Sequence, residues 1–352
     1  MKAFRYTLIL LLLLQITLPS LIPLKAVYHN RIDYNLTLDN IDDIDVVLDK
    51  LKTEIKRKHL KDYIILLGDS VLYGSPGNSD QAVNAYMQAY TKQTIINLAY
   101  PGSQTGDVYT MLLKLDKLGI STDQLITSVR YASFVPREPD PAVVFWFADD
   151  LRKLAPSVFQ HVLPNLRNNG YKLPASYYAK FKFELYQNFL PATMPYAYKD
   201  FLYKMLKNEA YKWSGEPVPD DSIGDNRPWT EKGDLQQEVH STIMQRNFTD
   251  RPLDMTPSSL DIYFMDLIIQ HQQGKKTLYS MTGTNHTLTK EYEEKPGYQV
   301  NLQAIDHYFQ QQHVNYVNLE GMIPDSLFAD HSHLISAGYK QLAQILWQFY
   351  NK

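Results

Sequence analysis

The 352-residue chain contains no cysteine. That absence excludes thiol catalysis, thiolate metal centres and disulfides together. It suits an exported protein that does without disulfides. The chain also lacks a charge excess: 35 basic against 38 acidic residues leave a net charge of −3, so no basic surface for nucleic acid is expected. Internal repeats are missing, as are low-complexity tracts beyond the N-terminus, and no H-E-x-x-H or comparable ligand spacing marks a metal site. A hydrophobic fraction of 44% with 21% charged residues excludes large-scale disorder and leaves a globular chain of one large or two ordinary domains.

What is present begins with Lys2 and Arg5, followed by an apolar run from Tyr6 to Leu24. Gln15, Ser20 and two prolines interrupt it. Leu8 to Leu14 has the size of a signal-peptide h-region, and with Thr17 to Leu24 the run approaches a bilayer span. No A-x-A cleavage signal follows. Residues 1–25 therefore read as a signal peptide or an N-terminal membrane anchor, with the uncleaved anchor favoured. The preceding positive charges put the body of the protein outside the cytoplasm. Asn35, Asn247 and Asn285 each stand in N-x-[ST], a match too common to weigh.

Residues 26–40 look like an exposed lead-in. Ile44, Val47, Leu48, Leu51 and Ile55 recur at helical spacing and predict a helix over 41–58. Tyr63-Ile64-Ile65-Leu66-Leu67 predicts a buried strand, and Gly68-Asp69-Ser70 ends it. A helix over 81–92, a strand over 94–99, a helix near 108–115 and a third strand over 125–134 continue the alternation, with Val143–Phe147 a further apolar segment. The β-α-β-α-β rhythm implies a parallel sheet with right-handed crossovers. Residues 150–250 break it. This span reads as a mainly helical insertion whose aromatics, dense between Tyr171 and Trp213, form its own core and its contact with the main domain, or line a sugar- or acyl-binding cleft. The rhythm returns with strands over 277–282 and 314–319 and a last helix over 335–350, for which Ser336 is the expected N-cap. The expected fold is a three-layer α/β/α sandwich of flavodoxin-like type with a central parallel sheet, residues 26–352 forming one domain that carries the insertion.

In open α/β sheets, chemistry gathers outside the carboxyl ends of the strands. Ser70 stands there after the first strand. Asp330-His331-Ser332-His333 stands after the last. A D-x-x-H turn lets the carboxylate accept from one imidazole nitrogen while the other faces a nucleophile. A serine hydroxyl needs such a base near neutral pH. Ser70, His333 and Asp330 are the candidate catalytic residues, Asp69 a structural hydrogen-bonding residue, and His331 a solvent-facing neighbour.

These residues resemble the SGNH/GDSL hydrolase superfamily. Gly68-Asp69-Ser70 matches its first block, Asn97-Leu98-Ala99-Tyr100-Pro101-Gly102 resembles its second, and Asp330-His331-Ser332-His333 matches its last. The resemblance covers roughly residues 60–145 and 258–350. It implies a serine esterase or O-acyltransferase working through an acyl-enzyme, with no cofactor and with the N–H groups of Ser70 and Gly102 in the oxyanion hole. The third block, Gly-x-Asn-Asp, is missing after the third strand. Gly283-Thr284-Asn285-His286 resembles it one strand later, so either Asn285 reaches the hole from there or it is an ordinary loop residue. By analogy with membrane-tethered members, the expected substrate is an O-acylated envelope or extracellular polysaccharide. A lysophospholipase-type esterase and a non-catalytic polysaccharide-binding protein are the alternatives. Oligomeric state stays open.

Overall fold

A computed structural model describes residues 2–38, 40–135, 146–168 and 170–352. The chain forms two compact units. One comprises Met1–Leu60 with Lys172–Asp221, the other Lys61–Tyr171 with Ser222–Lys352. The stretch 150–250, expected as one insertion, is divided between them. Residues 143–145 of the expected apolar segment lie outside the described residues.

The second unit is built on a parallel sheet: β1 (Tyr63–Leu67), β2 (Thr94–Asn97), β3 (Gln124–Val129), β4 (Lys276–Met281) and β5 (Asn315–Asn318). Its order is β2-β1-β3-β4-β5, every pair parallel. All five residues of β1 are buried, as expected of a strand covered on both faces. Connections from β1 run outward to β2 and then back past β1 to β3. The order therefore reverses between β1 and β3, and side chains following those two strands border the switch-point crevice.

Three local expectations are corrected. The third strand stops at Val129, and Tyr131–Phe134 is a 3-10 turn in which Ser133 Oγ accepts from Arg130 N at 3.2 Å. Instead of one helix over 81–92 there are two pieces, Ser79–Gln81 and Val83–Met87, separated by an extended Ala82. The Gln88 side chain then reaches Thr91 O, Gln93 O and Ile95 N, turning the chain into β2. In the last helix, Ser336–Tyr350, the N-cap position belongs to Ile335, and Ser336 Oγ is spent on Tyr86 Oη.

In the first unit, the helix Lys2–Leu21 is exposed over its first half, while Leu18 and Ile22 are buried. Lys50, on the helix Asp43–Arg57, donates to Pro19 O and Ile22 O. The lead-in is not loose. Val27 and Ile32 are fully buried, and Asp33 accepts from Leu36 N at 3.3 Å to start the short helix Tyr34–Thr37. Nor do the aromatics between Tyr171 and Trp213 form a core as a group. Tyr198 and Phe201 are buried, but Tyr177, Tyr178, Phe181, Phe189, Tyr203 and Trp213 are exposed.

Candidate active site

Ser70 is the first residue of a one-turn helix, Ser70–Tyr73, directly after β1. Asp69 caps that turn, Oδ1 accepting from Val71 N at 3.0 Å. Gly68 sits in a tight place beside β3: a Cβ would lie 2.3 Å from Ser128 Oγ and 3.1 Å from Leu72 Cδ1, so both side chains would have to shift. The turn fixes Ser70 at the sheet edge with its side chain nearly buried.

Asp330 and His333 lie in a loop closed by a bridge between Phe328 and Leu334, with Ala329 N donating to His333 O at 2.7 Å. Asp330 Oδ1 accepts from Ser332 N at 2.9 Å and from His333 N at 2.8 Å. Its other oxygen lies 2.8 Å from His333 Nδ1. His333 Nε2 lies 2.7 Å from Ser70 Oγ. Burial works to raise the Asp330 carboxyl, but the charge and hydrogen bonds of His333 outweigh it and hold the group below the ordinary carboxylate range. An ionised Asp330 stabilises an imidazolium and fixes the tautomer that presents Nε2 to the serine.

Gly102 follows β2 in a left-handed conformation, φ +80°, which a side chain rarely adopts. A Cβ there would also meet Trp146 Nε1 at 3.3 Å. Among the described residues, neither Ser70 N–H nor Gly102 N–H has an acceptor.

Asn285 is placed otherwise than as an oxyanion donor. Its side chain is fully buried; Oδ1 accepts from Leu288 N at 3.1 Å, capping the helix His286–Glu293, and Nδ2 points to Asp330 O at 3.4 Å. With its backbone N–H donating to His331 O at 3.0 Å, Asn285 holds the Asp330–His333 loop from behind. His331 is also corrected. Its side chain is only 14% exposed and packs edge-on to Phe248. Burial pushes its pKa down to about 4, so the ring is neutral.

Arg130 is the residue sequence reasoning passed over. It follows β3, on the far side of the switch point from Ser70, and its guanidinium lies 2.5 Å from Asp69 Oδ2. The available signal was an arginine directly after a strand that ends at the same carboxyl edge as β1. Arg130 and His331 also line a cavity of about 20 Å3, enough for about one water. A far larger concavity, about 820 Å3, is lined by Lys276, Thr277 and Asn315 at the amino ends of β4 and β5, the edge opposite Ser70.

His286 belongs to a separate cluster. Its Nε2 lies 2.9 Å from Glu320 Oε2 and 3.4 Å from Glu293 Oε2. The hydrogen bond to Glu320, together with the Glu293 charge, raises its pKa to about 9.

No family model matches the chain, and no curated protein matches it. Among solved structures, the chain is similar to LAE5, an alpha/beta hydrolase enzyme from the metagenome of Lake Arreo, Spain. That alignment covers 83% of this chain and 95% of that one, at 10% identity and a TM-score of 0.36. So distant a likeness leaves the chain's own residues to carry the functional reading.

Proposed function

We propose that this protein is a serine-dependent esterase or O-acyltransferase of the SGNH/GDSL type. The observation that carries the reading is the relay Ser70 Oγ–His333 Nε2 at 2.7 Å and His333 Nδ1–Asp330 Oδ2 at 2.8 Å, at the carboxyl edge of a parallel sheet. Ser70 Oγ attacks an ester carbonyl while its proton passes to His333 Nε2. Asp330 stabilises the imidazolium. The N–H groups of Ser70 and Gly102 receive the oxyanion, and the leaving alcohol takes the proton from His333. Water or a second alcohol then resolves the acyl-enzyme by the same route in reverse. We read the helix Lys2–Leu21 as a retained membrane anchor, long and apolar enough to cross a bilayer. An anchored enzyme facing away from the cytoplasm meets O-acylated envelope or extracellular polysaccharide, the substrate class we propose.

Fluorophosphonate labelling of the purified protein, with peptide mass mapping, tests the chemistry. The expected adduct sits on Ser70 and is lost in His333→Ala. A folded protein that never forms it would overturn the enzyme reading in favour of a polysaccharide-binding protein. Release of acetate from acetylated xylan supports the sugar substrate. Hydrolysis of lysophospholipid alone would replace that substrate with a lipid.

A further inference from the structure

Helix Tyr177–Glu184, in the first unit, has no buried residue. Three of its four aromatics stand in solvent: Tyr177 is 88% exposed, Tyr178 73% and Phe181 57%, with Phe183 half-buried, and Phe189 in the following π-turn is 66% exposed. Lys180 and Lys182 are interleaved with them. A helix that turns three aromatic rings outward, away from the half-buried Ala179 and Phe183, needs a different solvent on that side.

The N-terminal helix indicates which one. Gln15 is one of the polar residues that interrupt its apolar run, and both ends of its amide are engaged. Gln15 Oε1 accepts from Met194 N at 2.8 Å, and Gln15 Nε2 donates to Ala192 O at 3.3 Å. Ala192 lies in the segment joining Phe189 to the short helix Met194–Ala197, and Met194 opens that helix. Gln15 is six residues before Leu21, about 9 Å along the helix axis at 1.5 Å per residue. A bilayer around the Lys2–Leu21 helix therefore reaches the 189–194 segment at interfacial depth, where amphipathic elements typically sit about 5–10 Å into the boundary. Tyrosine rings and lysine stems suit that boundary.

We propose that the segment 177–197 is a membrane-interface element, its partner a phospholipid bilayer, docked onto the anchor helix through the reciprocal Gln15 hydrogen bonds. This rests on the reading of Lys2–Leu21 as an anchor retained in the membrane. It accounts for the half-buried Gln15 inside the apolar run: its amide bonds to the protein backbone, as an amide placed against lipid requires.

The chain has no cysteine, so single-cysteine variants of the full-length protein are directly usable. Leu10→Cys, Phe181→Cys, Phe189→Cys and, as an exposed control in the other unit, Glu294→Cys are labelled with an environment-sensitive fluorophore. They are then reconstituted into vesicles of phosphatidylcholine and phosphatidylglycerol carrying nitroxide lipids. The expected result is blue-shifted, lipid-quenched emission at 10, 181 and 189, with Glu294 unquenched. Quenching at 10 but water-exposed emission at 181 and 189 would overturn the interface element and leave the anchor standing. No quenching at 10 would remove the anchor, and the proposal with it. Gln15→Leu supplies the second readout: the anchor stays inserted, while quenching at 189 weakens because the docking bonds are gone.

Discussion

The Arg130 guanidinium meets the Asp69 carboxylate at 2.5 Å, across the point where the strand order reverses. Asp69 also caps the turn that carries Ser70. One ion pair thus ties the Ser70 turn to the end of β3. Arg130→Gln frees Asp69 and loosens the turn. We expect kcat to fall with KM little changed, and Arg130→Lys to restore part of the loss, because a lysine supplies the charge without the planar fork. Steady-state kinetics on an activated ester, with circular dichroism to establish folding, checks this.

Asp330→Asn keeps an acceptor for Ser332 N and His333 N, so the loop should hold. The amide cannot stabilise an imidazolium and favours the wrong tautomer. In a serine–histidine–aspartate arrangement such a change lowers kcat by about 10⁴. Loss of Ser70 or His333 should cost at least as much, and the three losses should not add. Single-turnover acylation rates of the single and double variants test the coupling.

Asn285→Ala separates a cap from an oxyanion donor. Removing an oxyanion donor costs roughly 10²–10³ in kcat. Removing an N-cap costs about 1 kcal/mol of stability. The bonds of Asn285 to Leu288 N and Asp330 O predict the second outcome, seen as a lower melting temperature with activity largely kept at low temperature. A large kcat loss at unchanged stability would return Asn285 to the oxyanion hole.

His331 is held neutral by burial, its pKa pushed down from 6.5 to about 4. The unfolded chain binds a proton there between those values and the folded one does not. Stability associated with His331 is therefore full above about pH 6.5 and is lost as pH falls toward 4. Melting curves of wild type and His331→Gln should differ in slope across that window, the variant losing less.

His286 carries the opposite sign. Its folded pKa of about 9 exceeds the ordinary 6.5, so its contribution is complete below pH 6.5 and disappears as pH rises through 9. The stability gap between wild type and His286→Gln should close over that range. Because the imidazole is nearly half exposed, the gap should be modest and shrink with added salt.

The α/β alternation, the parallel sheet and the residue types at its carboxyl edge are legible in the sequence. Each of these is local. A five-residue apolar strand, a Gly-Asp-Ser ending and a D-x-x-H turn are written within a few positions. Distance was not written there. Ser70 and His333 are 263 positions apart, and β3 and β4 separate β1 from β5 in the sheet; the loop after β5 crosses back over the carboxyl edge to bring the two atoms to 2.7 Å. Competition for hydrogen-bond partners was equally invisible. Asn285 resembles an oxyanion residue in sequence, yet in the fold a helix N-terminus and the Asp330 carbonyl claim its amide. Gln15 was legible as an interruption of an apolar run. That it interrupts the run in order to hold Ala192 and Met194 depends on a pairing 177 and 179 positions away, which tertiary structure alone decides.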